Sequence, residues 1–157
     1  PFQWEPQIPI EEYERRVKLL REAMNTKSVT YNWHPSPTSF MEAVISCGDR
    51  RLGKVIETAW RKGETLSAWE DYFDLNRWME AFEECGLDPH FYANRRRSED
   101  EILPWSMISC GVAPGYLKRE HALSYEGVTT PDCRTHCNGC GARMLSERRL
   151  CDESPAV

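Results

Sequence analysis

The chain has 157 residues, a formal net charge of −5 and a hydrophobic fraction of 40%, with six tryptophans among the apolar residues. That is enough apolar mass for a domain with its own core and too much for a disordered chain. The acidic balance excludes a protein that coats nucleic acid over its whole surface, although local basic patches survive. The short apolar runs exclude a transmembrane helix and a signal peptide.

The chain opens at Pro1 rather than Met, as a fragment or trimmed product would. Residues 1–9 read as extended, with Phe2-Gln3-Trp4 flanked by prolines. A helix follows, because Ile10, Tyr13, Val17, Leu20 and Met24 recur at three- and four-residue steps. Glu11 and Glu12 suit its first turn, and Asn25 marks its stop. Residues 28–33 alternate and carry the β-formers Val29, Tyr31 and Trp33, so they read as a short strand. After the His34-Pro35-Ser36-Pro37 loop, Ser39 and Glu42 form a capping box for a second helix. Its stripe is Phe40, Ala43, Val44 and Cys47. Gly48-Asp49 breaks the pattern, and Leu52, Val55, Ile56, Ala59 and Trp60 resume it until Gly63.

A third helical zone is expected over residues 68–85. Trp69, Tyr72 and Phe73 form one cluster there, and Leu75, Trp78, Met79 and Phe82 another. Residues 88–104 read as irregular. Pro114 opens a helix that runs to about Tyr125, and beyond Glu126 regular structure gives way to Gly, Thr, Pro and Cys. Two isolated strands cannot hold a sheet. The expected fold is therefore α+β and predominantly α-helical, with edge strands completing a sheet supplied from upstream.

Seven cysteines without a secretory signal argue against a disulfide framework and for a reducing cytoplasm. Cys133, Cys137 and Cys140 crowd into one short segment. Soft thiolates at such spacings can meet at one metal, and Gly139 and Gly141 supply the backbone angles of a tight turn. The plainer reading is three inert thiols in a loose tail. The three-cysteine spacing resembles that of radical S-adenosylmethionine enzymes, whose fourth iron is left open for the cofactor, and this favours a [4Fe–4S] cluster over tetrahedral zinc, which would need a fourth ligand. Cys151 is the first choice for that position, with Cys110 and His136 as alternatives.

An ordered string of motifs carries a resemblance. Pro1-Phe2-Gln3-Trp4-Glu5, Thr38-Ser39-Phe40-Met41-Glu42-Ala43, Gly48-Asp49-Arg50-Arg51-Leu52, Trp78-Met79-Glu80-Ala81-Phe82, Leu103-Pro104-Trp105 and the segment 130–141 together resemble the C-terminal region of a largely uncharacterised family of cobalamin-binding-type radical S-adenosylmethionine (SAM) proteins. The resemblance runs from Pro1 to about Ala142. It implies a parent with a cobalamin-binding-like domain and a radical SAM partial (β/α) barrel upstream, and these would be the chain's partners. S-adenosylmethionine, and cobalamin where the parent binds it, are the cofactors it implies there.

On this reading residues 1–34 finish the barrel, 35–125 form a helical accessory cap and 126–157 are a metal-binding tail. The trio shares the spacing of the SAM-cleaving motif. Gly139 stands where that motif has an aromatic residue, however, and the segment lies far from a barrel's first strand. These departures point to an auxiliary [4Fe–4S] cluster or a structural zinc rather than a SAM-cleaving site, in an accessory part that is not expected to be active alone.

Other features have two readings each. Asp49-Arg50-Arg51 suits an anion or a salt-bridged helix bend. Arg95-Arg96-Arg97 suits an RNA backbone or a solvated loop balanced by Glu99, Asp100 and Glu101. Trp60, Trp69 and Trp78 read as core, Cys47 and Cys85 as buried thiols, and His34 as a loop histidine with a structural hydrogen bond. No phosphate loop, His-Glu-x-x-His or Ser-His-Asp arrangement is present. The rival to the radical SAM reading is a non-catalytic helical module whose zinc-stabilised tail binds RNA or protein.

Overall fold

The computed structural model describes residues 1–24, 26–134 and 136–142. Among them every regular element is helical: a 3-10 turn at Phe2–Trp4, then α1 (Ile10–Ala23), α2 (Ser36–Ser46), α3 (Leu52–Arg61), α4 (Leu75–Glu84), α5 (Pro89–Ala93) and α6 (Pro114–Tyr125). The chain divides into two compact units. One is residues 5–96, and the other joins residues 1–4 to the chain from Arg97 onward.

The expectation of an α+β chain with edge strands of a radical SAM barrel is overturned, because the described residues contain no strand and no sheet. Residues 28–33 are β-formers without a partner, and a strand is defined by the ladder that pairs it. Their alternation survives locally: Tyr31 and Trp33 lie on one side, with ring centroids 5.3 Å apart. Arg21 of α1 stands 5.0 Å over the Trp33 ring. The stretch at residues 2–4 is likewise a turn rather than extended chain.

The unit of residues 5–96 is built on α2–α5. Phe40, Met41 and Val44 of α2 meet Leu52, Val55 and Ala59 of α3, Trp78, Ala81 and Phe82 of α4, and Tyr92 and Ala93 of α5. Helical spacing puts each set on one face, and each large side chain so buried contributes about 1.5–3 kcal/mol. α1 lies at the margin. None of its residues is fully buried, and it is tied by polar bonds: Tyr13 Oη donates to the His34 carbonyl at 2.9 Å, and Ser36 Oγ to Glu14 at 2.6 Å. The structural hydrogen bond at His34 is thus made by its backbone.

Boundaries differ from expectation where local chemistry decides them. α2 begins at Ser36, with Pro37 in its first turn, so the Ser39–Glu42 box lies inside the helix. The zone 68–85 contributes only α4, which Asp74 caps by accepting from the Asn76 amide at 2.9 Å. Trp69 and Trp60 are therefore surface residues, 67% and 62% exposed, and of the three expected core tryptophans only Trp78 is buried. The region expected to be irregular contains α5, capped by Asp88 and opened by Pro89. The bounds of α6 are as the sequence indicates, and the start of α1 agrees too. Asn25 lies outside the described residues.

A buried carboxylate locks α3 to α4. α3 is followed by Lys62 and Gly63, whose φ of +94° suits glycine, and the Glu64 amide bonds back to the Ala59 carbonyl at 3.0 Å. This reversal turns the Glu64 side chain inward. It accepts from Trp78 Nε1 at 3.1 Å and Ser67 Oγ at 2.8 Å, with Arg77 at 3.5 Å. Glu64→Ala strands these donors and is expected to cost about 2–3 kcal/mol, whereas the exposed Glu70→Ala stays within about 0.5 kcal/mol. Urea unfolding followed by tryptophan fluorescence reads both; equal midpoints for the two variants would contradict the lock.

Candidate metal centre

The other unit is organised by α6. Ala113 precedes it, Pro114 occupies its first turn, and at its far end the Val128 amide bonds to the Leu123 carbonyl at 3.1 Å, turning the chain back. On the helix, His121 is buried. Its Nδ1 lies 2.8 Å from a Glu99 carboxylate oxygen, and its ring stands 5.2 Å from that of Trp4. Sequence reading gave His121 no role; only the meeting of residues 4, 99 and 121 marks it, as the polar centre of this unit's interior.

The returning segment, residues 128–142, is held against α6 at several points. Glu120 accepts from the Thr130 hydroxyl. Arg119 Nη2 donates to the Asn138 carbonyl at 2.7 Å, while Asn138 Nδ2 donates to the Pro131 carbonyl at 2.7 Å. The Ala113 amide donates to the Cys140 carbonyl at 2.8 Å. Asp132 accepts from the Arg134 amide and pairs with its guanidinium, which holds the Asp132 carboxyl below the usual range. Gly139 and Gly141 have φ of +70° and +89°. A Cβ on Gly141 would stand 3.2 Å from the Gly111 carbonyl oxygen, so the corner at Cys110-Gly111 lies against Cys140-Gly141.

Cys133 is exposed and Cys137 and Cys140 are half-buried; all are free thiols. Burial raises the Tyr116 phenol above its ordinary pKa, with Glu120, Cys140 and Cys133 adding to the shift and Arg119 opposing it. His136 and Cys137 line a common cleft of about 350 Å³ with Arg119, Leu123 and Thr130. As placed, no three His, Cys, Asp or Glu side chains among the described residues converge on one point. The trio shares a pinned loop without forming a closed ligand set, Cys110 is exposed, and Cys151 lies outside the described residues. No described helix is long and apolar enough to cross a membrane. The chain matches no family model, no curated protein and no solved structure.

Arg119 and Asn138 went unseen in the sequence because the donor comes from a helix and the acceptor from a distant loop. Arg119→Met removes the tie to the Asn138 carbonyl. It is expected to speed amide hydrogen exchange across residues 131–140 while costing no more than about 1.5 kcal/mol of global stability. Unchanged exchange in the loop would show that this bond does not hold it.

Proposed function

We propose that this chain is the C-terminal accessory part of a cytoplasmic radical SAM enzyme, and that its 133–140 loop holds an auxiliary iron–sulfur cluster. The observation that carries the reading is the loop itself. Three soft donors at three- and two-residue spacings sit on a segment whose shape is set by Arg119, Asn138 and the Ala113–Cys140 backbone bond. Backbone bonds and positive φ at two glycines favour a defined loop over a loose tail. Such a cluster supplies one-electron chemistry when bound. The chain's own residues contribute thiolates, a cationic neighbour in Arg119 and cover from α6. The ordered motifs support the class of parent.

A second reading has one observation in its favour. His136 and Cys137 open on the same cleft, and a mixed nitrogen–sulfur set suits structural zinc in a non-catalytic module.

Metal analysis after anaerobic reconstitution separates the two. The cluster reading expects about four irons per chain with broad visible absorption, reduced severely in Cys137→Ser and Cys140→Ser. Cys110→Ser and Cys151→Ser, compared side by side, report any fourth protein ligand. About one zinc per chain and no iron would replace the cluster with the zinc module.

A further inference from the structure

Two cysteine–glycine corners far apart in sequence meet in the unit organised by α6. One is Cys110-Gly111, just before the helix, and the other is Cys140-Gly141, at the end of the returning loop. Both glycines are in the left-handed region, with φ of +79° and +89°. A Cβ on Gly141 would stand 3.2 Å from the Gly111 carbonyl oxygen and 3.3 Å from the Cβ and the amide nitrogen of Ala113. The Ala113 amide also bonds to the Cys140 carbonyl at 2.8 Å. The missing side chain permits this close approach, and it lays residues 110–113 along residues 140–141.

This apposition bears on the ligand set. Cys133, Cys137 and Cys140 offer three thiolates, whereas a [4Fe–4S] cluster and structural zinc are each satisfied by four. Cys110 is exposed, so its side chain has room to turn. The Gly111 amide donates to Ser109 Oγ at 3.3 Å, a local bond that shapes the corner and leaves the thiol out of it. Cys47 and Cys85 belong to the other unit. His136 neighbours Cys137, but a nitrogen donor would break a uniformly soft set. As placed, the thiols do not converge; the backbone pairing decides which of them a metal can gather. A disulfide needs Cα atoms within about 7 Å. A metal standing about 2.3 Å from each sulfur joins thiols too far apart to bond directly.

We propose that Cys110 is the fourth ligand of the metal centre, in the place that sequence order gives to Cys151. The inference rests on reading the 133–140 loop as a metal site. It also narrows what that site does. With four protein thiolates no iron is left open, so the centre passes single electrons or holds the fold and does not ligate a substrate. Each thiol gives its proton to solvent on ligation. Ligation through Cys110 ties the segment that opens α6 to the loop that returns along it, and so reinforces the Ala113–Cys140 bond.

The test is alkylation of the full chain with iodoacetamide, read cysteine by cysteine by mass spectrometry, before and after anaerobic reconstitution with iron and sulfide. A ligated thiolate is withdrawn from attack, so Cys110 is expected to react at least about tenfold more slowly after reconstitution, in step with Cys133, Cys137 and Cys140. Cys47 and Cys151 should keep their rates. Cyanide, a small ligand for an open iron, should leave the electron paramagnetic resonance spectrum of the reduced wild-type cluster unchanged and shift that of Cys110→Ala. The proposal is overturned if Cys110 reacts equally in both forms while the other three are protected, if Cys151 is protected in its place, or if cyanide shifts the wild-type spectrum. Full reactivity of all four cysteines, with no metal retained, would remove the metal reading of the loop as well.

Discussion

A loop without regular structure keeps one shape only where its backbone and polar side chains find fixed partners, and the cysteine segment depends on that constraint. α6 supplies the partners. Its first turn follows Ala113, whose amide holds the Cys140 carbonyl, and its middle carries Arg119 and Glu120, which hold Asn138 and Thr130. The helix has few buried residues of its own, His121 alone being fully buried. Its contribution lies in the polar groups it presents at fixed intervals. The chemistry proposed for the thiols rests on this frame.

The unit of residues 5–96 solves a different problem. Its short helices could not stand alone, and one shared core of aromatic and branched side chains, with Phe82, Val44 and Val55 its largest fully buried members, stabilises them together. Glu64 shows the converse of that packing. A carboxylate inside is tolerated because the Trp78 indole, the Ser67 hydroxyl and Arg77 surround it. The same compactness brings the start of α3 beside α5, where Arg51 and Arg95 both face the Phe91 ring.

Much of this was legible in sequence wherever period and punctuation agreed. α6 runs from Pro114 to Tyr125 as its proline and following glycine indicate, and the break at Gly48-Asp49 falls between α2 and α3. Residues 28–33 misled because β-propensity describes a fit to neighbouring strands and none is present. Trp60 and Trp69 misled because bulk does not say which face meets the core. α5 escaped notice because five residues are too short for a helical period, although Asp88-Pro89 carried its start signal. The burial of Glu64 and the meeting of Arg51 with Arg95 depend on long-range packing, and no local pattern encodes them. In the cysteine segment the spacing and the turn glycines were readable; the tethers to α6 were not.

The central claim is that Cys133, Cys137 and Cys140 act together on one metal centre. X-ray absorption at the edge of whatever metal the anaerobically purified chain retains tests this most directly. The account predicts a first shell dominated by sulfur at about 2.3 Å, lost when Cys137 and Cys140 are replaced by serine. A shell of nitrogen and oxygen alone, or a sulfur shell that survives those replacements, would contradict it.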